Sequence, residues 1–233
     1  MFLHEGLGSI AMWKDFPGQL ASALDLNAFV YSRQGYGWSD PATLPRKMDY
    51  LEHEATHVLP GVLDHMGIEK AILVGHSDGA SIALISAATE AKRRSLALLL
   101  MTGHVFYEDE LMRTGLKEAK RLYETTGFRE RLAKYHSDVE HVFRGWNDIW
   151  LHPDFTRWNI EAFLPNIDCP VLHIQGENDQ YATEAQPLAI QQQCSGPVET
   201  VMLPDCGHSP HLEQTQLTIH TMQNFLQTQR IFL

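Results

Sequence analysis

AILVGHSDGASIALISAA, residues 71–88, changes its hydrophobic period in mid-course. Ala71 to Val74 is a short apolar run rich in branched residues, the pattern of a strand buried on both faces. Ala80 to Ala88 has helical spacing and strong helix formers. Ser77 stands at the change, between Gly75 and Gly79. A chain that reverses from strand to helix within about four residues needs small neighbours, because a side chain on either flank would collide with the turn. The apex residue is then pushed out of the sheet and presented.

Outward from this stretch, strand-like and helix-like segments alternate. Ala28 to Ser32, Ala71 to Val74, Ser95 to Thr102, Pro170 to Gln175 and Val198 to Leu203 read as strands. Helical patterns fall near 13–24, 50–66, 79–91, 182–193 and 211–228. The alternation predicts an α/β fold with a mostly parallel, doubly wound sheet and helices on both faces. Between Gly103 and Asn166 lie about four helical stretches and no convincing strand. We read 103–166 as a helical insertion over one edge of a core built from 1–102 and 167–233. There is no internal repeat or low-complexity segment.

Composition bounds the partners. A chain of 233 residues supports one sizeable core. Hydrophobic content of 44% and charged content of 20% suit a globular enzyme. The net charge of −11 argues against nucleic acid or an anionic membrane, both polyanionic. No apolar run approaches the roughly 20 residues of a membrane span, and the start does not resemble a signal peptide. Cys169, Cys194 and Cys206 are odd in number, lack metal-ligand spacing, and read as free thiols in a reducing compartment, the cytoplasm.

Ligands of a doubly wound sheet sit beyond the carboxyl ends of its strands, where the Ser77 turn falls. A serine hydroxyl needs a base to take its proton, and the base needs a third group to hold its tautomer. Asp179, in IQGENDQYATEA, follows the strand at 170–175; Glu177 is a rival acid. His208, in LPDCGHSPH, follows the strand at 198–203; His211 is a rival base. Ser77, Asp179 and His208 each follow a different strand at one end of the sheet, in the order serine, acid, histidine. The backbone N–H of Asp78, unpaired at the helix start, is a candidate donor to a developing oxyanion. Such donors contribute about 3 kcal/mol each.

At these residues the sequence resembles the α/β-hydrolase fold serine hydrolases. GHSDG (75–79) looks like their nucleophile elbow, GENDQY (176–181) their acid loop and CGHSPH (206–211) their histidine loop. SRQGYGWSD (32–40) is similar to their loop after the preceding strand, and FLHEGLGS (2–9) to their His-Gly loop. The resemblance covers nearly the whole chain and implies that 103–166 is the variable cap. It also implies a second oxyanion donor at Gly6 or Leu7. Glu5 stands where the family usually has glycine, which leaves an acid near the site and favours neutral acyl substrates over anionic ones. The family usually places two or more strands before the His-Gly loop, yet only Met1 to Leu3 precede His4. The expectation is that an amino-terminal piece is missing, since an open sheet edge invites pairing with another chain.

Three motifs compete. HEATH (53–57) matches a zinc-protease pattern, but Leu51, Ala55, Val58, Leu59, Val62 and Met66 share one helix face and His53 and His57 the opposite one, which faces solvent. No metal is expected there, since a catalytic zinc needs a third ligand and a cavity. GYGWSD has Asp40 where a dinucleotide fingerprint needs its third glycine, so no cofactor is expected. In the insertion, Phe143, Trp146 and Trp150 fall on one helix face. That face packs onto the core, and its rings are candidates to line an acyl or alcohol pocket above Ser77. His104, after the strand at 95–102, is a further candidate for the pocket.

The expected activity is hydrolysis of carboxylic esters, or thioesters, of small neutral substrates through an acyl-enzyme, with a homo-oligomer left open. A carbon–carbon bond hydrolase of ring-cleavage products ranks second, because such enzymes usually carry asparagine before the serine and tryptophan after the histidine; here His76 and Ser209 stand there. A non-catalytic small-molecule-binding member of the fold is the alternative from another class, against which the complete triad speaks.

Overall fold

Successive side chains of the central strands point to opposite sides, and both sides are buried. In the computed structural model, which describes residues 1–231, β1 (Phe2–Leu3), β2 (Ala71–His76), β3 (Ser95–Met101), β4 (Val171–Gly176) and β5 (Val198–Leu203) form one sheet. The strands lie in chain order and every neighbouring pair is parallel. Ile72, Val74, Leu99, Met101 and Ile174 pack on one side with Phe16, Leu20, Met222 and Phe225. Leu73, Leu98, Leu100 and Val171 pack on the other with Leu51, Leu59, Ile82, Ile85 and Ile190. Burial on both faces is why these strands read as continuous apolar runs.

The strand expected over 28–32 is reduced to one bridge between Val30 and Phe2, with the Phe2 N–H donating to the Phe29 carbonyl at 2.9 Å. The reason lies in the next residues. The Arg33 N–H donates to His4 Nε2 at 3.0 Å, so the chain leaves the ladder to bond a side chain. After β1 the chain thus runs outward to Val30 and returns to β2 on the other side. The order reverses at β1, and the crevice beyond the carboxyl ends opens there.

The helices that cover the sheet are α1 (Phe16–Leu24), α2 (Tyr50–His53), α3 (Leu59–His65), α4 (Asp78–Ala88), α8 (Ala185–Gln193) and α10 (Thr215–Thr228). The helix expected from residue 13 starts later, because Ile10–Trp13 is a 3₁₀ turn and Lys14 has φ 53°. The helix expected over 50–66 carries a π turn, Glu54–Val58, at HEATH. An inserted residue rotates the later face by about 100°. Met66, after the turn, is accordingly exposed, and Glu54, at its start, is buried, unlike the even stripe that the sequence predicts. His53 and His57 are exposed and their rings stack at 4.9 Å.

Between β3 and β4 run α5 (Asp109–Thr125), α6 (Phe128–Leu132) and α7 (Val139–Trp150), then 3₁₀ turns at Pro153–Arg157 and Glu161–Asn166. A lone bridge, Phe106 to Asn159, closes the base of this segment. The short α9 (Pro210–Glu213) precedes α10. No helix among the described residues is long and apolar enough to cross a membrane.

Candidate active site

Ser77 has φ 51° and ψ −116°, a strained backbone at the junction of β2 and α4. Its N–H donates to the Met101 carbonyl at 3.0 Å, which fixes the turn to β3. A Cβ on Gly75 would lie 2.5 Å from the Gly79 carbonyl oxygen, and one on Gly79 would overlap the Leu3 carbonyl. The two glycines are therefore required by close backbone approach. The Ser77 side chain makes no hydrogen bond among the described residues and opens into a cavity.

Asp179 and His208 reach the same end of the sheet from the loops after β4 and β5. His208 Nδ1 lies 2.9 Å and 3.0 Å from the two carboxylate oxygens of Asp179. Asp179 Oδ1 also accepts the Tyr181 N–H at 2.9 Å. Burial pushes the Asp179 carboxyl up, but the His208 charge and these hydrogen bonds outweigh it and hold the group below its ordinary value. An ionised carboxylate on Nδ1 selects the tautomer with the proton there, leaving the Nε2 lone pair for another partner. The cavity is lined by both Ser77 and His208. Of the rivals, Glu177 is exposed and His211 is buried against Trp13 and Phe16. The His211 pKa is pushed down to about 3 by burial and by His76, so its ring stays neutral.

The His4–Gly8 loop is built around one carbonyl. The Glu5 carbonyl accepts from His4 Nδ1 at 2.7 Å, Arg33 Nη2 at 3.0 Å and the Gly8 N–H at 3.0 Å. His4 is neutral, its pKa held well down by burial and by Arg33, and its Nε2 accepts the Arg33 N–H. In a trans peptide the N–H points opposite the C=O. With the Glu5 carbonyl turned to Arg33, the Gly6 N–H is turned away from it, and Gly6 and Leu7 both line the cavity. A Cβ on Gly6 would overlap the Trp146 indole. Asp78, at the first position of α4, also lines the cavity, and its N–H has no acceptor within the helix.

The cavity measures about 140 Å³ and has an apolar wall of Met12, Met112, Leu116, Trp146, Trp150 and Tyr181. His104 joins it, 5.9 Å from the His208 ring, with a pKa lowered to about 3 by burial and by His208. The expectation for Phe143 is corrected. It is not in this wall but stacks on Tyr123 of α5 at 3.8 Å, because the helix face wraps past the cavity edge. A chain of bonds runs from the wall to the elbow: Trp150 Nε1 donates to Tyr50 Oη and Tyr50 Oη to Asp78 Oδ2, both at 2.8 Å. The sequence reading missed Met12, Met112, Leu116 and Tyr181. Tyr181 carried a signal, an aromatic two residues after Asp179. Among the described residues no cluster of three or more histidine, cysteine or acidic side chains is arranged to hold a metal.

A model of the alpha/beta hydrolase family matches residues 1–220. No curated protein matches the chain. Several solved structures share its fold at low identity. A proline iminopeptidase from Mycobacterium smegmatis superposes with a TM-score of 0.74 at 17% identity, covering 97% of this chain and 88% of that one. A thermophilic esterase from Thermogutta terrifontis gives 0.71 at 20% identity, over 97% and 88% of the two chains. An enol-lactonase from Burkholderia xenovorans LB400 gives 0.71 at 22%, over 97% and 90%.

Proposed function

The chain belongs to the alpha/beta hydrolase family, and from that premise we propose that it is a serine hydrolase cleaving carboxylic esters, thioesters included, of small neutral acyl groups. The observation that carries the reading is that His208, paired with Asp179 behind it, lines one apolar cavity with a serine held at positive φ. His208 Nε2 takes the Ser77 proton as Oγ attacks the carbonyl carbon. Asp179 stabilises the imidazolium that forms. The N–H groups of Gly6 and Asp78 receive the charge on the former carbonyl oxygen. His208 returns the proton to the leaving alcohol or thiol, and water repeats the cycle on the acyl-enzyme.

Size and polarity support a small, uncharged acyl group. A cavity near 140 Å³ is comparable to one that takes up benzene, about 150 Å³. Its apolar wall carries no charge, and the Glu5 carboxylate faces His76 rather than standing unpaired, so the lining favours an uncharged acyl group. The esterase and the enol-lactonase above are named for cleaving ester bonds, which agrees with this chemistry. The free cysteines Cys169, Cys194 and Cys206 suit a cytoplasmic enzyme.

The test is labelling by a fluorophosphonate, with peptide mapping of the adduct, alongside a panel of aryl esters and thioesters graded in acyl length. The reading expects the adduct on Ser77 and turnover that declines beyond a ring-sized acyl group. No adduct and no turnover on the panel would return the chain to the non-catalytic alternative.

A further inference from the structure

The cavity wall holds a second acid–histidine pair that the acyl-transfer steps do not use. Glu5 Oε2 lies 3.4 Å from His76 Nδ1, and both residues line the cavity beside Ser77. The other ring nitrogen, His76 Nε2, donates to the His208 carbonyl at 2.7 Å. That carbonyl also accepts from Thr102 Oγ1 at 3.1 Å. His76 Nε2 keeps its proton on the His208 carbonyl, while Glu5 Oε2 makes no hydrogen bond to Nδ1 but faces that nitrogen as a counter-charge for a second ring proton.

The surroundings agree with a charged ring. Burial opposes the charge, but Glu5, the His208 carbonyl and Asp179 together raise the His76 pKa above its ordinary value. Burial likewise opposes charge on Glu5, and His76 holds its carboxyl far below the usual range. The titratable groups facing His76 are Glu5 from the His4–Gly8 loop, His104 after β3, Asp179 from the loop after β4, and His208 and His211 from the segment after β5. The His208 and His211 rings lie 5.2 Å and 4.7 Å away. His211 is neutral, which leaves Glu5 as the near counter-charge.

We propose that Glu5 is a positioning residue: through His76 it ties the oxyanion-hole loop to the backbone of His208, so that oxyanion donors and catalytic base are held in one register. The inference rests on Ser77, Asp179 and His208 being the catalytic groups. Glu5 acts at both of its ends. Its carbonyl, held by Arg33 and His4, aims the Gly6 N–H, and its carboxylate holds the ring that holds His208. The loop sequence makes room for this. A Cβ on Gly8 would lie 2.7 Å from Glu5 Cδ, so glycine there lets the side chain fold back beneath its own loop. A carboxylate serving only to repel anionic substrates needs neither His76 nor that space.

The experiment compares wild type, Glu5→Gln and Glu5→Leu on one neutral aryl ester, with active sites counted by a phosphonate probe, and follows the His76 ring by NMR titration. Leucine removes the polar group facing His76 Nδ1, whereas glutamine can still donate to that nitrogen and keep the Nε2 proton on the His208 carbonyl. Glu5→Leu is expected to lower kcat about 10- to 100-fold with little change in KM, the scale of a displaced catalytic group. Glu5→Gln is expected to recover much of that loss, while the His76 titration moves to lower pH in both variants. A kcat for Glu5→Leu within about twofold of wild type, or equal losses in both variants, overturns the proposal. So does a His76 titration unchanged in Glu5→Gln, which decides the matter even if the leucine variant does not fold. If wild type itself neither labels nor hydrolyses esters, the catalytic reading fails, and the NMR titration still reports whether Glu5 charges His76.

Discussion

Arg33 Nη2 lies 3.7 Å from Asp78 Oδ2, and the two side chains are 0% and 1% exposed. The pair joins the loop after Val30 to the first residue of α4. The same Nη2 donates to the carbonyls of His4 and Glu5. One buried guanidinium thus braces both backbone segments that carry the proposed oxyanion donors, and its face packs over the Tyr36 ring at 4.8 Å. A buried pair of this kind is costly to break from one side, because the remaining charge has no water to return to.

Arg33→Met should therefore destabilise the fold by about 3–5 kcal/mol. Urea unfolding with an unchanged slope would measure it. Active sites that remain folded should still turn over more slowly, because the Glu5 carbonyl loses one of its three donors. A loss of stability below about 1 kcal/mol would mean that the pair contributes little.

The strained backbone of Ser77 separates activity from stability. Ser77→Ala should fold normally and lose about 10³-fold or more in ester turnover. Ser77→Gly should be equally inactive but more stable than the alanine variant by about 1 kcal/mol, since glycine adopts φ 51° without the steric cost. Thermal midpoints of the two variants give the comparison. A glycine variant less stable than the alanine one would indicate that the turn is not strained.

The acid predicts a pH signature. The Asp179 carboxyl is lowered in the folded protein, so the folded state binds its proton less readily than the unfolded chain. Its contribution to stability is present above the ordinary carboxylate pKa of about 4 and fades as pH falls through the folded value. Asp179→Asn should flatten the acid limb of a stability–pH curve below about pH 4 and abolish most turnover at neutral pH. Glu177→Gln, two residues away and exposed, should keep both the limb and the activity. The reverse outcome would move the acid to Glu177.

The parts of this fold that rest on local pattern were legible in the sequence. β2 and α4 announce themselves by the change of period at Ser77, and the glycines there are dictated by contacts within a few residues or to β1. The strand expected at 28–32 failed because its bonding is settled by His4, far away in sequence, which takes the Arg33 N–H. The π turn at HEATH is likewise invisible to a regular 3.6-residue stripe. The Asp179–His208 pair was readable because each residue directly follows a strand. The cavity wall was not: Phe143 and Trp146 share one face of α7, yet Phe143 stacks on Tyr123 of α5 while Trp146 reaches the cavity, a split set by packing between helices. The Glu5–His76 contact joins residues about seventy positions apart, and the sequence marked it only as an acid where glycine is usual.

The contact between Gly6 and Trp146 offers a test of the oxyanion loop by second-site relief. A methyl group on Gly6 would overlap Cδ1 and Nε1 of the Trp146 indole, so either the loop or α7 must shift. The Gly6 N–H lies in the same planar peptide as the Glu5 carbonyl, which three donors hold, so any shift of Gly6 that relieves the overlap turns the N–H and strains those bonds. Gly6→Ala should lower kcat by about 10²-fold, the usual scale for losing one oxyanion donor, with a smaller effect on KM. Trp146→Leu removes the obstructing ring and widens the cavity, so alone it should shift preference towards longer acyl groups. Combined with Gly6→Ala, it should recover part of the lost kcat, making the double variant faster than Gly6→Ala alone. The readout is kcat per titrated active site for the three variants on a short-chain aryl ester. If the double variant is no faster than Gly6→Ala, the alanine methyl disturbs something other than the indole, and the assignment of the Gly6 N–H as oxyanion donor loses its support.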